Sequence, residues 1–425
     1  MLDPHRALRF CKPRTYHDPL HGAITLDGSR AEEALLIRLI DTPAFQRLRR
    51  IRQLDTAYFT FHGAEGSRFT HSLGVLHITR RLFDQLANRY PELLPHRGLA
   101  LTAALLHDLG HSPFSHAGEG MFDCHHELWT LRILREDTAV NGLLTAYAPD
   151  LPDHITQVLT KTFPVPLLTQ MVSSQLDCDR LDYLLRDSLH TGAQYGHLDL
   201  DRIITVLDYD PERQDLRIPA RKGLGAIEHY LVVRYFMYSQ VYQHPKSMAA
   251  RFLLDRLYQR ARVLLQQGSL VADEILTAWL TQPVDTLPLR QFLMADDLVF
   301  SYPFTFWAEH RDPILADLAQ RFLTRNIFKS RLITSLPAAE QHQLYHHLKR
   351  VLQHKGWDPD SYLTIRQSHV QGYTLYHQGI ELETDLGRQE IAQLSPLVSA
   401  LTQTQPQTWI IFPKELTVDV AEILP

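Results

Sequence analysis

The stretch from Leu99 to Glu119, LALTAALLHDLGHSPFSHAGE, constrains this chain more than any other. Leu101, Ala104, Leu105, Asp108 and Leu109 recur at helical spacing, and Gly110 and Pro113 then stop the helix. His107 and Asp108 must therefore stand side by side at a helix end. Successive helical residues point about 100° apart, so both reach one cation only if it lies over the helix end and other elements complete its shell. The dipeptide alone is a weak signal, since the same letters occur at His17-Asp18, where nothing helical precedes them. A lone buried His–Asp pair is more often a structural hydrogen bond than a metal site.

Partners elsewhere in the chain change that balance. His71 opens a helix in RFTHSLGVLHITRRLFDQLANRY, and Asp179 lies in SSQLDCDRLDYLLRD, another. The order His71, His107-Asp108, Asp179 is the ligand pattern of the HD-domain phosphohydrolases. Around it stand, in order, HDPLHG (17–22), LIDTPAFQRLRRIRQL (39–54), RFTHSLGV (68–75), LLHDLGHSPFSH (105–116), HHE (125–127), DRLDYLLRD (179–187) and VYQH (241–244). Over residues 14–260 the chain thereby resembles the deoxynucleoside triphosphate triphosphohydrolases, the HD-domain branch that includes the sterile-alpha-motif and HD-domain protein of animals and shorter bacterial relatives.

The resemblance implies roles residue by residue. His71, His107, Asp108 and Asp179 would bind a divalent metal; two imidazoles and two carboxylates suit manganese, iron, zinc or magnesium rather than a thiolate-seeking ion. His111, His116, His126 and Glu127 match positions along the phosphate path, His116 being placed to protonate the leaving oxygen; imidazoles titrate near neutral pH, as acid–base work requires. Arg68, Arg180 and Arg234 match basic residues facing the triphosphate, where a guanidinium gives bidentate contacts. Tyr183 matches a residue near the phosphates, and Gln53 and Asp187 match residues that hydrogen-bond the sugar 3′-hydroxyl. Leu54 and Tyr242 match the wall that excludes a 2′-hydroxyl. Alternatives stay open from the residues alone: Leu54 and Tyr242 also fit ordinary core packing, and Asp187 could pair with Arg186 on its own helix. With 24 histidines in the chain, His62, His77 and His125 are read as chance positions. Relatives carry glycines after QL, whereas this chain has Asp55 and Thr56.

Asp41, Gln46 and Arg49 match family positions where a guanine nucleotide sits between subunits, with Arg14, Thr15 and His17 as looser matches to the partner residues. A carboxylate at Asp41 could accept from the guanine N1 and N2 donors, a contact adenine cannot offer. Asp41 equally fits a cap for the helix that begins at Pro43. The resemblance implies a homotetramer, or a dimer that becomes one, activated by guanine nucleotide. The alternatives are a different HD phosphohydrolase, acting on nucleoside monophosphates or cyclic or signalling nucleotides, and a non-catalytic nucleotide sensor or single-strand nucleic-acid binder.

At 425 residues, 44% of them hydrophobic, the chain can bury a large core plus a smaller appendage. A formal charge of −5 argues against a general nucleic-acid binder. Three cysteines without paired spacing, no signal-peptide core and no membrane-spanning run lead us to expect a cytoplasmic protein.

The expected fold class is mostly α: an HD-domain helical core with a small β-hairpin and a C-terminal α+β appendage. The expected divisions are an extended segment (1–30), the catalytic core (31–265), a helical extension (266–360) and a small α+β region (361–425). Within them we expect helices at 31–42 and from Pro43, one helix over about 125–146, another over about 153–162, and a hairpin turning at Pro211-Glu212. The last region should contain strands in YLTIRQ, TLYHQGIEL and TWIIFPKEL and a helix in QEIAQLSPLVSAL.

Overall fold

The computed structural model describes residues 11–370, 372–374 and 379–421. The first ten residues of the expected extended segment, and positions 375–378 of the TLYHQGIEL strand, lie outside the described residues. Strands β1 (Arg14–Asp18) and β2 (Gly22–Leu26) form an antiparallel hairpin with Arg14 opposite Leu26. Helices α1 (Ala31–Ile40) and α2 (Pro43–Arg47) follow. Thr42, not Asp41, caps α2, accepting from the Phe45 N–H. Proline at the first helical position makes its immediate neighbour the cap, so Asp41 stands one residue too early.

The apolar run becomes α4 (Arg97–Leu106), all ten of whose residues are buried. It is apolar on every side because α1, α3 (Arg68–Arg89), α8 (Leu151–Leu159) and α9 (Pro166–Val172) enclose it. After the turn come α5 (Ser115–Phe122), α6 (His126–Glu136) and α7 (Thr138–Tyr147). The single helix expected over 125–146 is thus two. Asp137 takes extended backbone and its carboxylate accepts from the Ala139 and Val140 N–H groups, restarting the helix.

Helix α10 (Cys178–Thr191), capped by Asp177, packs on α3. The approach is close enough that a Cβ on Gly74 would lie 1.9 Å from an Asp182 carboxylate oxygen. Glycine at 74 is what lets the two helices bring His71 and Asp182 together. The hairpin β3 (Asp208–Asp210) and β4 (Asp215–Arg217) turns through 211–214, after α11 (Leu200–Val206). Helix α12 (Ala220–Met237) then passes through a π-helical turn at Tyr238–Tyr242 into α13 (Pro245–Gln266).

Strands β5 (Lys329–Leu332), β6 (Thr364–Val370), β7 (Glu381–Thr384), β8 (Gly387–Glu390) and β9 (Gln405–Phe412) complete the sheets, β5-β9-β6 forming one and β7-β8 a hairpin. The first therefore takes an edge strand from a stretch that reads as helical. The helix expected in QEIAQLSPLVSAL is broken into Ile391–Leu394 and Pro396–Leu401, with Gln389 and Glu390 in β8. Pro396 cannot donate to the preceding turn, and Ser395 caps the second piece. One hydrophobic cluster runs from Ile24 to Val420, and among the described residues no helix is long and apolar enough to cross a membrane. The mostly α class holds.

Candidate functional site

Three helices deliver the first group. His71, in the first turn of α3, is fully buried. Its Nδ1 lies 2.8 Å from Asp182 Oδ2, a donor position that leaves the Nε2 side toward Asp179 Oδ1 at 3.0 Å and Asp108 Oδ2 at 3.7 Å. His107 closes α4 with Nδ1 2.9 Å from the Ala104 carbonyl oxygen. Its buried Nε2 has no hydrogen-bond partner and lies 3.5 Å from Asp108 Oδ1 and 3.6 Å from Asp179 Oδ1.

Ligand atoms of His71, His107 and Asp108 all fall within 4.8 Å of one another, and Asp179 Oδ1 stands beside both imidazoles, 3.0 Å from His71 Nε2 and 3.6 Å from His107 Nε2. Burial alone would raise the Asp179 carboxyl, but the neighbouring His107 and His71 imidazoles hold it well below the carboxylate range. Against its burial, the carboxylates of Asp179 and Asp182 push His71 up to about 10. The orphaned His107 nitrogen and the two-imidazole, two-carboxylate donor set fit a divalent cation.

Behind the ligands lies a network to which sequence reasoning assigned no role. Asp182 accepts from His71, from His21 at 2.6 Å, and from Arg186 at 2.7 and 3.0 Å; Arg186 also reaches Asp18 at 2.8 Å. The signal was in hand, because Asp18 and His21 belong to HDPLHG and Asp182 stands three residues after Asp179, on the same helix face. Such partners fix the tautomer and orientation of a ligating imidazole. The Arg186–Asp187 pairing does not occur. Adjacent helical residues diverge, so Arg186 turns to Asp18 and Asp182 while Asp187 accepts from the Tyr242 hydroxyl at 2.9 Å.

Beside the ligands a second group converges. His111, fully buried, stacks on His126 with ring centroids 4.0 Å apart, and its Nε2 is 3.2 Å from Asp108 Oδ1. Glu119 joins His126 Nδ1 and His116 Nδ1, the latter at 2.7 Å. Burial works against its charge, yet these two imidazoles hold the Glu119 carboxyl far below its ordinary value. Glu119 is a second participant that sequence reasoning passed over. Glu127 stands at the rim, its side chain 74% exposed and 3.9 Å from His126 Nε2.

Gly110 permits this packing, because a Cβ there would meet the His126 carbonyl oxygen and the Thr130 nitrogen at 2.2 Å. The turn that carries His116 is strained: Phe114 and Ser115 take φ of 61° and 50°. Asp297 holds it in place, accepting from the Phe114 N–H at 2.7 Å and the Arg52 N–H at 2.9 Å.

A cavity of about 440 Å³ opens from this centre. Gln53, Leu54, Arg68, Arg180, Tyr183, Asp187 and Tyr242 line it together with His107, Asp108, His111, His116, His126, Glu127 and Asp179. Arg68 donates to Ser115 Oγ at 2.9 Å and pairs with Asp108, and Arg180 pairs with Asp177. Leu54 is buried with Ala57 and Ala64 against Tyr242. Arg234 is not among the residues that line the cavity; it donates to Gln175 Oε1 at 2.8 Å and lies against the ring of Tyr238, which does line it.

Asp41, Gln46 and Arg49 lie apart from this cavity. Asp41 pairs with Arg14 at the surface, Gln46 donates to the Ile40 carbonyl at 2.7 Å, and Arg49 donates to Gln46 Oε1 at 2.8 Å while covering the Phe69 ring.

Residues 68–187 match the HD domain family. The chain is similar to the uncharacterized protein YwfO of Bacillus subtilis, 36% identical over 421 residues that cover 97% of this chain and 94% of that protein. It is also similar to the deoxynucleoside triphosphate triphosphohydrolase SAMHD1 of Gallus gallus, 30% identical over 294 residues, or 60% of this chain and 47% of that protein. Among solved structures, a phosphohydrolase from Bacteroides thetaiotaomicron superposes with a TM-score of 0.83 at 28% identity, covering 94% of this chain and 99% of that one.

Proposed function

Because the chain belongs to the HD-domain phosphohydrolases, we propose that it hydrolyses deoxynucleoside triphosphates to a deoxynucleoside and inorganic triphosphate. One observation carries the reading: a single cavity joins the His71, His107, Asp108 and Asp179 group to the Gln53, Leu54, Asp187 and Tyr242 wall. Asp187 stands eight residues after Asp179 on α10, roughly 12 Å along the helix. That separation suits phosphates at one end and a nucleoside at the other.

Bound to the four ligands, a divalent cation supplies phosphate charge neutralisation and activation of the attacking water. Arg68 and Arg180 add positive charge along the phosphate path. The water oxygen bonds to the α-phosphorus as the bond between that phosphorus and the sugar 5′ oxygen breaks; His116 protonates the 5′ oxygen, and the proton the water gives up passes to solvent, from which His116 is recharged. Glu119 orients the His116 ring for the transfer. Asp187 and Gln53 hold the 3′-hydroxyl, and the Leu54–Tyr242 wall leaves no room for a 2′-hydroxyl. At the surface, Asp41, Gln46 and Arg49 form a guanine-nucleotide site that favours a homo-oligomer and raises activity.

The test is incubation of the purified protein with each deoxynucleoside triphosphate and with ATP, in manganese or magnesium, with products separated by chromatography. Deoxynucleoside and triphosphate are expected, with ATP a poor substrate. Release of monophosphate and pyrophosphate, no cleavage, or equal rates on ATP and dATP overturns the corresponding part of the reading.

A further inference from the structure

The cavity wall contains an ion pair that the proposed chemistry does not use. Asp55 follows Leu54 with φ of 43°, in the left-handed region that Asp tolerates better than most residues. It is buried, and its carboxylate accepts Arg251 Nε at 3.0 Å and Nη2 at 2.8 Å as a fork. The Thr56 N–H and hydroxyl complete the cradle. Arg251 reaches this point from α13, and its Nη1 is 3.4 Å from the Tyr242 carbonyl oxygen. Both members of the pair line the cavity, and 27% of the Arg251 side chain remains exposed.

Resting on the reading above, we infer that Arg251, held by Asp55, reads the base and selects guanine over adenine in the catalytic cavity. Leu54 and Tyr242 adjoin the pair, so it stands at the nucleoside end, away from the metal ligands. Asp55 occupies the Nε–Nη2 edge of the guanidinium. With one Nη1 hydrogen given to the Tyr242 carbonyl and one Nη2 hydrogen to Asp55, the outer Nη1–Nη2 edge keeps one N–H on each nitrogen for a ligand. Guanine offers two adjacent acceptors, O6 and N7, that match this edge bidentately. Adenine puts an amino group where guanine has O6, so donor meets donor. Pyrimidines, with one carbonyl in reach, rank between them. Asp55 acts as the positioning residue, because without its charge the guanidinium loses both its orientation and its partner.

The experiment uses the metal-loaded full-length protein with each deoxynucleoside triphosphate, alone and in an equimolar mixture. GTP is held at one concentration so that the surface site is equally filled. Wild type is expected to favour dGTP over dATP by about tenfold in kcat/KM, the scale of a charge-assisted hydrogen bond. Arg251→Met is expected to bring that ratio within about twofold, and Asp55→Asn, which tolerates the same backbone, to lower it part of the way.

Equilibrium dialysis of deoxyguanosine and deoxyadenosine, which are not turned over, should show the same ratio and its loss in Arg251→Met. Equal wild-type use of the two purines, or a ratio unchanged in Arg251→Met, overturns the inference. A dialysis preference that Arg251→Met abolishes, in a protein that cleaves no deoxynucleotide, refutes the proposed reaction and leaves base reading standing.

Discussion

The ligand centre and the Asp41–Arg49 surface hold charged residues in opposite ways. At the centre, the His71 and Asp182 side chains are both 0% exposed, and Asp182 serves His71, His21 and Arg186 at once. At the surface, Arg14 and Asp41 are 42% and 52% exposed and lean mainly on each other. Buried polar networks are strong when complete and costly when one member is lost, whereas exposed pairs are screened by water and contribute about 0–1 kcal/mol. The centre is therefore built for fixed geometry, and the surface is free to exchange its partner for a ligand.

The sharpest break of this contrast is removal of a ligand. His107→Ala and Asp179→Ala should each abolish hydrolysis and lower bound metal measured by elemental analysis, and a fully active, metal-free variant would refute the centre. Next in size, His116→Ala should slow turnover about 10²- to 10⁴-fold while metal and nucleotide binding persist. Loss of affinity with unchanged turnover per bound substrate would make His116 a binding residue instead.

Asp182→Asn tests the supporting network and should weaken metal affinity about 10- to 100-fold, because His71 loses its charged partner. Affinity equal to wild type by metal titration would show the network to be a packing device only.

Asp187 provides a pH-dependent probe on the cavity wall. Burial pushes its carboxyl up to about 7 despite the Tyr242 hydrogen bond, so the native state keeps a proton that the unfolded chain releases at lower pH. Its stabilising contribution is complete below the ordinary carboxylate range and is lost as pH rises to about 7. Relative to wild type, Asp187→Asn should gain stability in denaturant titrations between pH 5 and pH 8; parallel pH profiles would contradict this. The smallest effect is expected at the surface: Asp41→Ala should change stability by less than about 1 kcal/mol and leave metal content alone, yet remove stimulation by GTP. A variant still stimulated would return Asp41 to a purely surface role.

Local pattern was enough for much of this molecule. The apolar run ending in His107-Asp108, the His71 and Asp179 helices, the β3–β4 hairpin and the Thr42-Pro43 helix start all follow from spacing and turn chemistry within a few residues. The His71, His107, Asp108 and Asp179 set came instead from the family resemblance; the fold gathers the first three, with Asp179 beside the two imidazoles. The errors were local too: single residues such as Asp137 and Pro396 restart helices that hydrophobic periodicity runs straight through.

What only the tertiary structure decided are pairings between distant residues. His21 meets Asp182 across 161 residues of sequence, Arg186 meets Asp18 across 168, and Asp297 holds the Phe114 turn across 183. It also turned Arg234 from the cavity wall to Gln175 and set Arg251 against Asp55. Periodicity reports which face of an element is buried, but the partner that satisfies a buried charge depends on how the elements pack, and many sequence-distant residues compete for that place.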